Sequence, residues 1–350
     1  MSDSHFNRAF VDNPAHLTRL GRALVNSGEG AKALALIGDA LAAAPGDAMV
    51  AEAAAVVLTH QVPRFHRNML NDAPRNDAYA TAIGRALYGG ERVLDIGTGS
   101  GLLAMMAARA GATEIIAAES NSLLAATARE IVAANGFGSI RVIGKPSGEI
   151  DLSEIGGPVD VIVHEIFGDD LIGEGVLPAL ADAVSRLSQP HVKTIPARAS
   201  VRVALAYYDK AGSPALPTGA AVDYDLHLFA RHSPSELRIA VDSRNLQLRS
   251  EPLDLFAFDF GDPSTLGAGR ATVAAASTGG AVNGIVQWLR IDFDQGPIYE
   301  NRPAEHAASH WKAVFHPVTE QETRPRDAFA IDGWHDQFAL RIWGAPTPSE

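Results

Sequence analysis

The sequence predicts a doubly wound α/β domain, followed by an antiparallel, barrel-like β domain and preceded by a short all-α segment. Three observations predict this order. Ala and Leu recur at helical spacing through residues 14–60, and short apolar runs alternate with helical stretches from residue 63 to about 195. Strand-like runs separated by Gly, Pro and Asp follow residue 196. The predicted domains are therefore residues 1–62, 63–196 and 197–350.

The N-terminal segment has the pattern of two amphipathic helices. Leu17, Leu20 and Leu24 recur on one helical face, and turn-forming residues stand at 27–30 and 45–47. The stretch LGRALVNSGEGAKALALIGDALAAAPGDAMV resembles one tetratricopeptide unit, a helix-turn-helix of about 34 residues. One unit cannot form a solenoid, so we expect a helical cap or a dimerisation element.

The middle segment alternates buried strands and crossover helices. Its apolar runs predict parallel strands at 92–96, 114–119, 140–143 and 159–163, with crossover helices at 102–110 and 122–135. The last segment predicts an antiparallel sheet or barrel of about 150 residues. Its predicted strands are 200–207, 222–230, 271–276, 285–293 and 338–343.

Composition excludes several classes of protein. The 350 residues contain no cysteine, so structural disulfides, cysteine-ligated zinc and thiol nucleophiles are excluded. A net charge of −12 argues against a nucleic-acid partner, because phosphate contacts need clustered Lys and Arg, and it is compatible with a cationic substrate. The first residues lack an apolar stretch, and no run approaches the roughly 20 apolar residues of a membrane helix. We therefore expect a soluble, cytoplasmic protein without a membrane partner.

The strongest motif is VLDIGTGSG, in which a strand ends at Asp95 and Gly97, Gly99 and Gly101 form a tight loop before a helix. Glycines suit a sharp turn against which a ligand lies. A dinucleotide site is the competing interpretation, but the spacing is Gly-x-Gly-x-Gly rather than Gly-x-Gly-x-x-Gly. The next strand ends at Glu119, whose carboxylate can accept both hydroxyls of a ribose. Together these features predict a nucleoside cofactor.

Two glutamates follow the fourth predicted strand in HEIFGDDLIGEGVLP. Glu165 stands at the carboxyl end of that strand, where open α/β sheets bind ligands, and Glu174 follows nine residues later. Two converging carboxylates suit a guanidinium, which offers five donors in a planar fork. They would also concentrate its charge on two nitrogens and leave the third more nucleophilic.

These motifs resemble those of a known family. The glycine loop with its following acidic residue resembles the class I methyltransferase motif, and Glu-x8-Glu resembles the double-Glu loop of protein arginine methyltransferases. LIGEGVLP is most similar to the mono-methylating branch and its relatives with helical repeats. The resemblance implies methyl transfer from S-adenosyl-L-methionine to an arginine guanidinium, with Glu165 and Glu174 as catalytic and substrate-binding residues.

The resemblance also implies roles upstream and downstream of the glycine loop. In RFHRNMLNDAPRNDAYATAI, Arg75 would pair with the methionyl carboxylate of the cofactor and His66 would lie beside it, while Met69 would line the pocket near the glutamates. In IGKPSGEI, Ser147 and Glu149 are both candidates to hold the adenine amino group.

SHWKAVF resembles the Thr-His-Trp loop of the family, with Ser309 in place of Thr. His310 would complete the arginine pocket and pair with Asp72 as a catalytic dyad, and Trp311 would supply a flat wall for the substrate stem. One departure is that the family's Tyr-Phe-x-x-Tyr signature is missing, and residues 60–65 stand near its place. This departure bears on the identity of the substrate more than on the chemistry.

Several alternatives stay open from the sequence. The acceptor is either a protein or peptide arginine or free L-arginine, and the product either mono- or dimethylated. No metal cluster is visible, and the reaction requires no metal. Residues 209–250 are a candidate dimerisation arm, so we expect a homodimer. A different class, a non-catalytic interaction protein with an inactive methyltransferase core, is disfavoured by the intact acidic residues and His310.

Overall fold

A computed structural model describes residues 12–63, 65–209, 232, 234–294, 296–303 and 309–346. The chain forms two compact units. The first comprises the chain up to Asn71 with Tyr79–Glu165 and Asp182–Ile195. The second comprises Asp72–Ala78, Ile166–Ala181 and the chain from Pro196 onward. The predicted domain ranges, which divide the chain at 62/63 and 196/197, stay a prediction.

Between Pro14 and Leu58 the N-terminal segment has three helices, where the sequence predicted two. They are α1 (Pro14–Asn26), α2 (Gly30–Ala43) and α3 (Ala48–Leu58). The third was missed because its sequence, AMVAEAAAVVL, is apolar almost all round and shows no helical period. Asp47 caps α3 by accepting the N–H groups of Met49 and Val50, at 2.8 and 3.2 Å. The buried faces of the three helices share one apolar cluster with Leu123, so the segment packs on the α/β fold as a cap.

The first unit contains a five-stranded sheet in the order β3-β2-β1-β4-β5. All neighbouring pairs are parallel. β1 has β2 as its neighbour on one side and β4 on the other, so the strand order reverses between β1 and β4. Sheets of this kind bind ligands in the crevice at the carboxyl ends of the two strands where the order reverses. The strands are β1 (Arg92–Ile96), β2 (Glu114–Ala118), β3 (Arg141–Ile143), β4 (Val159–His164) and β5 (Ser188–Ile195). The helices are α4 (Phe65–Leu70), α5 (Ala73–Ala86), α6 (Leu102–Arg109), α7 (Ser122–Ala134) and α8 (Val176–Arg186), of which α5 and α8 contribute to both units.

The second unit contains an eight-stranded antiparallel sheet whose main path is β13-β12-β10-β6-β8. Its strands are β6 (Arg198–Tyr208), β7 (Leu237–Ile239), β8 (Leu246–Leu248), β9 (Leu253–Asp259), β10 (Gly269–Asp292), β11 (Ile298–Glu300), β12 (Ala313–His335) and β13 (Leu340–Pro346). Strands β7, β9 and β11 pair with β12, β6 and β10 respectively. Trp288 and Phe315 are the largest side chains of an apolar cluster between these strands.

Two predicted strands, 271–276 and 285–293, are one continuous strand, β10. The glycines between them favoured a break in the sequence, but the strand instead passes two irregularities in register, at Ala276/Thr278 and Val282/Gly284. Gly284 is required there because a Cβ would lie 2.0 Å from the Phe315 ring. The predicted strand 222–230 and part of the predicted arm lie outside the described residues.

The predicted fold class is confirmed, with a parallel α/β sheet, a separate antiparallel β unit and helices at the start. Within the described ranges, every helix is too short or too polar to span a bilayer.

Candidate functional site

The loop after β1 depends on backbone conformations that favour glycine. Gly97, Gly99 and Gly101 have φ values of +72°, +53° and +81°, in the left-handed region. A Cβ at Gly101 would also lie 2.8 Å from Cγ1 of Val132. The loop therefore needs glycine at these three positions, and its contact with a cofactor stays a prediction.

Asp95 fixes the shape of this loop. Its carboxylate is fully buried, and Oδ2 accepts hydrogen bonds from the Thr98 hydroxyl at 2.6 Å and from the Ala104 N–H at 3.1 Å. These bonds tie the end of β1 to the first turn of α6. Asp95 was predicted to bind the cofactor. These hydrogen bonds instead join Asp95 to the glycine loop and the helix that follows it.

Glu119 lies at the carboxyl end of β2 with 7% of its surface exposed. Its Oε2 accepts the Gly99 N–H at 2.9 Å, and Oε1 accepts the Asn121 N–H at 2.8 Å. Burial raises the pKa of Glu119, and the backbone hydrogen bonds oppose that rise. Because an ionised carboxylate has about four acceptor positions, each oxygen can still accept a hydroxyl.

His66, on α4, lies beside the glycine loop. A Cβ at Gly99 would stand 3.8 Å from Cε1 and Nδ1 of its ring. Partial burial lowers the pKa of His66, which favours a neutral ring at pH 7. The open glycine backbone, the buried carboxylate and the adjacent neutral ring together fit a nucleoside with two hydroxyls.

The other predicted cofactor contacts have different environments. Ser147 is buried and Glu149 is exposed in the short 3-10 turn Ser147–Glu149. Arg186 donates to the Ser147 carbonyl at 3.1 Å, which holds the turn in place. Arg75 is buried in the second unit, and its Nη1 donates to Oδ1 of Asn76 at 2.8 Å. Their roles toward the cofactor stay predictions, as does that of Met69, which is half-buried on α4.

The structure brings Asp72 and His310 together in the second unit. Oδ2 of Asp72 accepts hydrogen bonds from Nδ1 of His310 at 2.9 Å and from the His310 N–H at 3.0 Å. It also accepts the Tyr299 hydroxyl at 3.0 Å, and Oδ1 accepts the Arg75 N–H at 3.1 Å. Burial alone would raise the pKa of Asp72, but these hydrogen bonds, that from the His310 ring foremost, lower it overall.

Trp311 anchors residues 166–175, which we call the acidic loop. Its Nε1 donates to the Phe167 carbonyl at 2.9 Å, and the Lys312 N–H donates to Oδ1 of Asp169 at 2.8 Å. The indole also packs on the His310 ring, with centroids 4.0 Å apart. Trp311 thus fixes both the acidic loop and His310. Its contact with the substrate stem stays a prediction.

A second anchor of the acidic loop comes from the middle of the β sheet. Nε2 of Gln287, on β10, donates to the Asp170 carbonyl at 3.2 Å, and His316, on β12, bonds to Oε1 of the same amide at 2.9 Å. Because Oε1 is an acceptor, Nε2 of His316 is the donor. Burial lowers the pKa of His316 to about 4, aided by the charges of Arg238 and Arg341, so the ring is neutral at pH 7.

The two predicted substrate glutamates belong to different units. Glu165 directly follows β4 in the first unit and has 9% of its surface exposed. Tyr79, fully buried, donates its hydroxyl to the His164 carbonyl at 3.0 Å and so fixes the end of that strand. Glu174 is exposed in the acidic loop of the second unit. Their convergence on one guanidinium stays a prediction.

Sequence reasoning missed Tyr79, Asn121, Gln287, Tyr299 and His316. Tyr299 and Asp72 are 227 positions apart, and His316 and Gln287 are 29 apart on strands whose register the sequence does not specify. The only local signal was Asn121, which caps α7 by accepting the N–H groups two and three residues on.

Curated relatives of the chain are arginine methyltransferases. It is 36% identical over 332 residues to "Arginine N(omega)-methyltransferase" of Streptomyces achromogenes subsp. streptozoticus, covering 93% of this chain and 91% of that protein. It is 32% identical over 318 residues to "Protein arginine N-methyltransferase 7" of Danio rerio, covering 81% of this chain but only 46% of that longer protein. The alternative of an inactive interaction protein is not favoured by these relatives, which are named as enzymes.

Solved structures support the same fold. A Trypanosoma brucei PRMT1 enzyme–prozyme complex with AdoHcy superposes with a TM-score of 0.71 at 23% identity, covering 82% of this chain and 98% of that one. Arabidopsis thaliana protein arginine methyltransferase 10 superposes with a TM-score of 0.68 at 20% identity, covering 79% and 88%. Residues 80–195 also match the model of the ribosomal protein L11 methyltransferase (PrmA) family. The match over 93% of this chain to an arginine N(omega)-methyltransferase decides the assignment: the chain belongs to the protein arginine methyltransferase family and is an S-adenosylmethionine-dependent arginine N-methyltransferase.

Proposed function

We propose that the acceptor is free L-arginine and that the methyl group is placed on a terminal (ω) guanidinium nitrogen. The observation that carries this proposal is the match along 93% of the chain to a relative named for arginine, with 91% of that relative covered. The relatives named for protein arginine include the Danio rerio protein, of which the chain covers 46%. That match, at 32% identity, makes a peptide arginine the second candidate.

The glutamates bind the guanidinium in this proposal. Bound S-adenosylmethionine supplies a methyl group on a sulfonium centre. Glu165 and Glu174 accept N–H groups of the planar cation and hold its charge on two nitrogens, which leaves the third nitrogen more of its lone pair. Tyr79 supports this role because it fixes the strand end that precedes Glu165. Catalysis is then chiefly the positioning of nucleophile and methyl group in line.

The proton leaves during the transfer rather than before it. Arginine has a pKa above about 12, and its attacking nitrogen becomes acidic only as it is alkylated. Glu174 or the His310–Asp72 pair accepts that proton. Since Nδ1 of His310 donates to an Asp72 carboxylate whose pKa is lowered, Nε2 of a neutral ring carries the free lone pair.

The acceptor can be tested by mass spectrometry. The protein is incubated with methyl-labelled S-adenosylmethionine and, in parallel, with L-arginine or an arginine-rich peptide. We expect labelled methylarginine in the first reaction at the higher kcat/KM. Label found only in the peptide would overturn the free-arginine proposal and favour the second candidate. The number of methyl groups on the product decides between mono- and dimethylation.

We also propose a homodimer located in the cytoplasm. The Trypanosoma brucei PRMT1 enzyme and prozyme form a heterotetrameric complex, which supports assembly as a property of the fold, and residues 209–250 are the candidate arm. The lack of cysteine among 350 residues suits a reducing compartment. Light scattering after size exclusion should give twice the 36.9 kDa chain mass, and cell fractionation tests the location.

A further inference from the structure

We propose that Tyr299 is a positioning residue for methyl transfer: its hydroxyl fixes the Asp72 carboxylate that in turn holds the His310 ring. The inference rests on the proposed role of the His310–Asp72 pair and adds to it a third member, carried by strand β11.

The hydrogen bonds around Tyr299 have one consistent direction. Its oxygen lies 3.0 Å from Oδ2 of Asp72 and 3.0 Å from Oγ of Ser309. A phenol has one proton, and the charged carboxylate is the stronger acceptor, so that proton goes to Asp72. The Ser309 hydroxyl then donates to the Tyr299 oxygen, while its own oxygen accepts the Trp311 N–H at 3.2 Å. The chain of bonds thus runs from Trp311 through Ser309 and Tyr299 to Asp72.

Tyr299 gives the Asp72 carboxylate a hydrogen-bond donor that does not belong to His310. Among the described residues, three donors meet at Oδ2 of Asp72, and two of them, the ring Nδ1 and the backbone N–H, belong to His310. Those two bonds move with the histidine. Tyr299 gives Oδ2 a donor whose place is set independently, because β11 pairs with β10 in a register that puts Tyr299 opposite Ile291.

The aromatic ring and the hydroxyl of Tyr299 have separable effects. The ring packs edge-on against Trp311, with centroids 5.5 Å apart and planes at 70°. Phenylalanine would keep this contact and lose only the donor. Burial also raises the pKa of Tyr299, which keeps the hydroxyl protonated across the working pH range.

The first experiment is Tyr299→Phe in the full chain, with Tyr88→Phe as the matched control because Tyr88 is 77% exposed. Rates are measured with L-arginine and with an arginine-rich peptide, and S-adenosylhomocysteine binding is measured by calorimetry. We expect kcat to fall about tenfold with the better acceptor, as for loss of a hydrogen bond to a charged group. The S-adenosylhomocysteine Kd should stay close to that of the Tyr88→Phe control, while the melting temperature should fall by a few degrees because a buried hydrogen bond is lost.

A double-mutant cycle separates positioning from packing. If Tyr299 acts through the pair, Tyr299→Phe has no further effect on kcat in a His310→Ala background. Wild-type kcat in Tyr299→Phe, or an equal fall in both backgrounds, would overturn the inference alone. Wild-type kcat in His310→Ala would overturn both the proposed role of the pair and this inference.

Discussion

Acidification should loosen the second unit through one buried histidine. His316 has 4% of its surface exposed and is neutral at pH 7, because burial lowers its pKa from the ordinary 6.5 to about 4. As the pH falls, the unfolded chain binds a proton at its imidazole before the folded chain does. Stability is therefore lost as the pH falls from about 6.5 towards 4 and changes no further below that for this group.

The size of the effect follows from the two pKa values. The difference between 6.5 and about 4, at about 1.4 kcal/mol for each pH unit, gives about 3 kcal/mol in full. Roughly 2 kcal/mol of it is lost on going from pH 7.5 to pH 5. The added proton goes to Nδ1 and leaves the Nε2–H bond to Gln287 in place, so the loss of stability comes from charging a buried ring.

Urea unfolding of the wild type and His316→Gln at pH 7.5 and pH 5 measures this contribution. All four tryptophans, residues 288, 311, 334 and 343, lie in the second unit, so their fluorescence reports on it. The wild type should lose about 2 kcal/mol more than His316→Gln between the two pH values. A His16→Gln control, at an exposed site on α1, should keep the pH dependence of the wild type. Identical pH dependence in wild type and His316→Gln would refute the reasoning.

Three further predictions concern the two units. Glu165→Gln and Glu174→Gln should each abolish turnover while calorimetry still detects S-adenosylhomocysteine; near-normal activity in either would contradict the proposal that the two glutamates bind the guanidinium. Glu119→Ala should weaken S-adenosylhomocysteine binding at least about tenfold, since it removes a buried acceptor and the support of Gly99, and an unchanged Kd would exclude Glu119 from the cofactor site. Gly30→Ala should lower the free energy of unfolding by about 1 kcal/mol or more, because its Cβ would lie 2.2 Å from the Ser122 carbonyl oxygen. Gly38→Ala, with open space on the same helix, should raise it by up to about 1 kcal/mol; equal effects of the two substitutions in thermal unfolding would contradict the packing of α2 on α7.

The parts of the site that are local in sequence were predictable. The glycine loop and Glu119 are separated by one helix and one strand. A nucleoside site favours glycine where the backbone turns sharply against the ligand and a carboxylate where the ribose hydroxyls bind. The strand predictions succeeded where apolar runs are uninterrupted, as in β1 and β4. They failed at β10, where Gly284 looked like a break and is instead the space for the Phe315 ring. That ring comes from another strand, so nothing within β10 signals it.

The parts that depend on register and tertiary contact were not predictable from residues alone. The Asp72–His310 contact was expected only from the family resemblance, and nothing in the sequence pointed to Tyr299 as a further donor. Gln287 and His316 lie in short apolar runs of their strands, where a polar residue has no evident partner until the strands are paired. Asp95 shows that residue type alone does not define a role. A carboxylate at this position suits ligand binding, but hydrogen bonds join Asp95 to Thr98 and Ala104.

The central claim is that the chain methylates an arginine guanidinium, and tandem mass spectrometry of the reaction product tests it most directly. With methyl-labelled S-adenosylmethionine and L-arginine, we predict label on a terminal guanidinium nitrogen and one S-adenosylhomocysteine formed for each methyl group transferred. Label on the α-amino group, or no S-adenosylhomocysteine above the enzyme-free reaction with either L-arginine or an arginine-rich peptide, would contradict it.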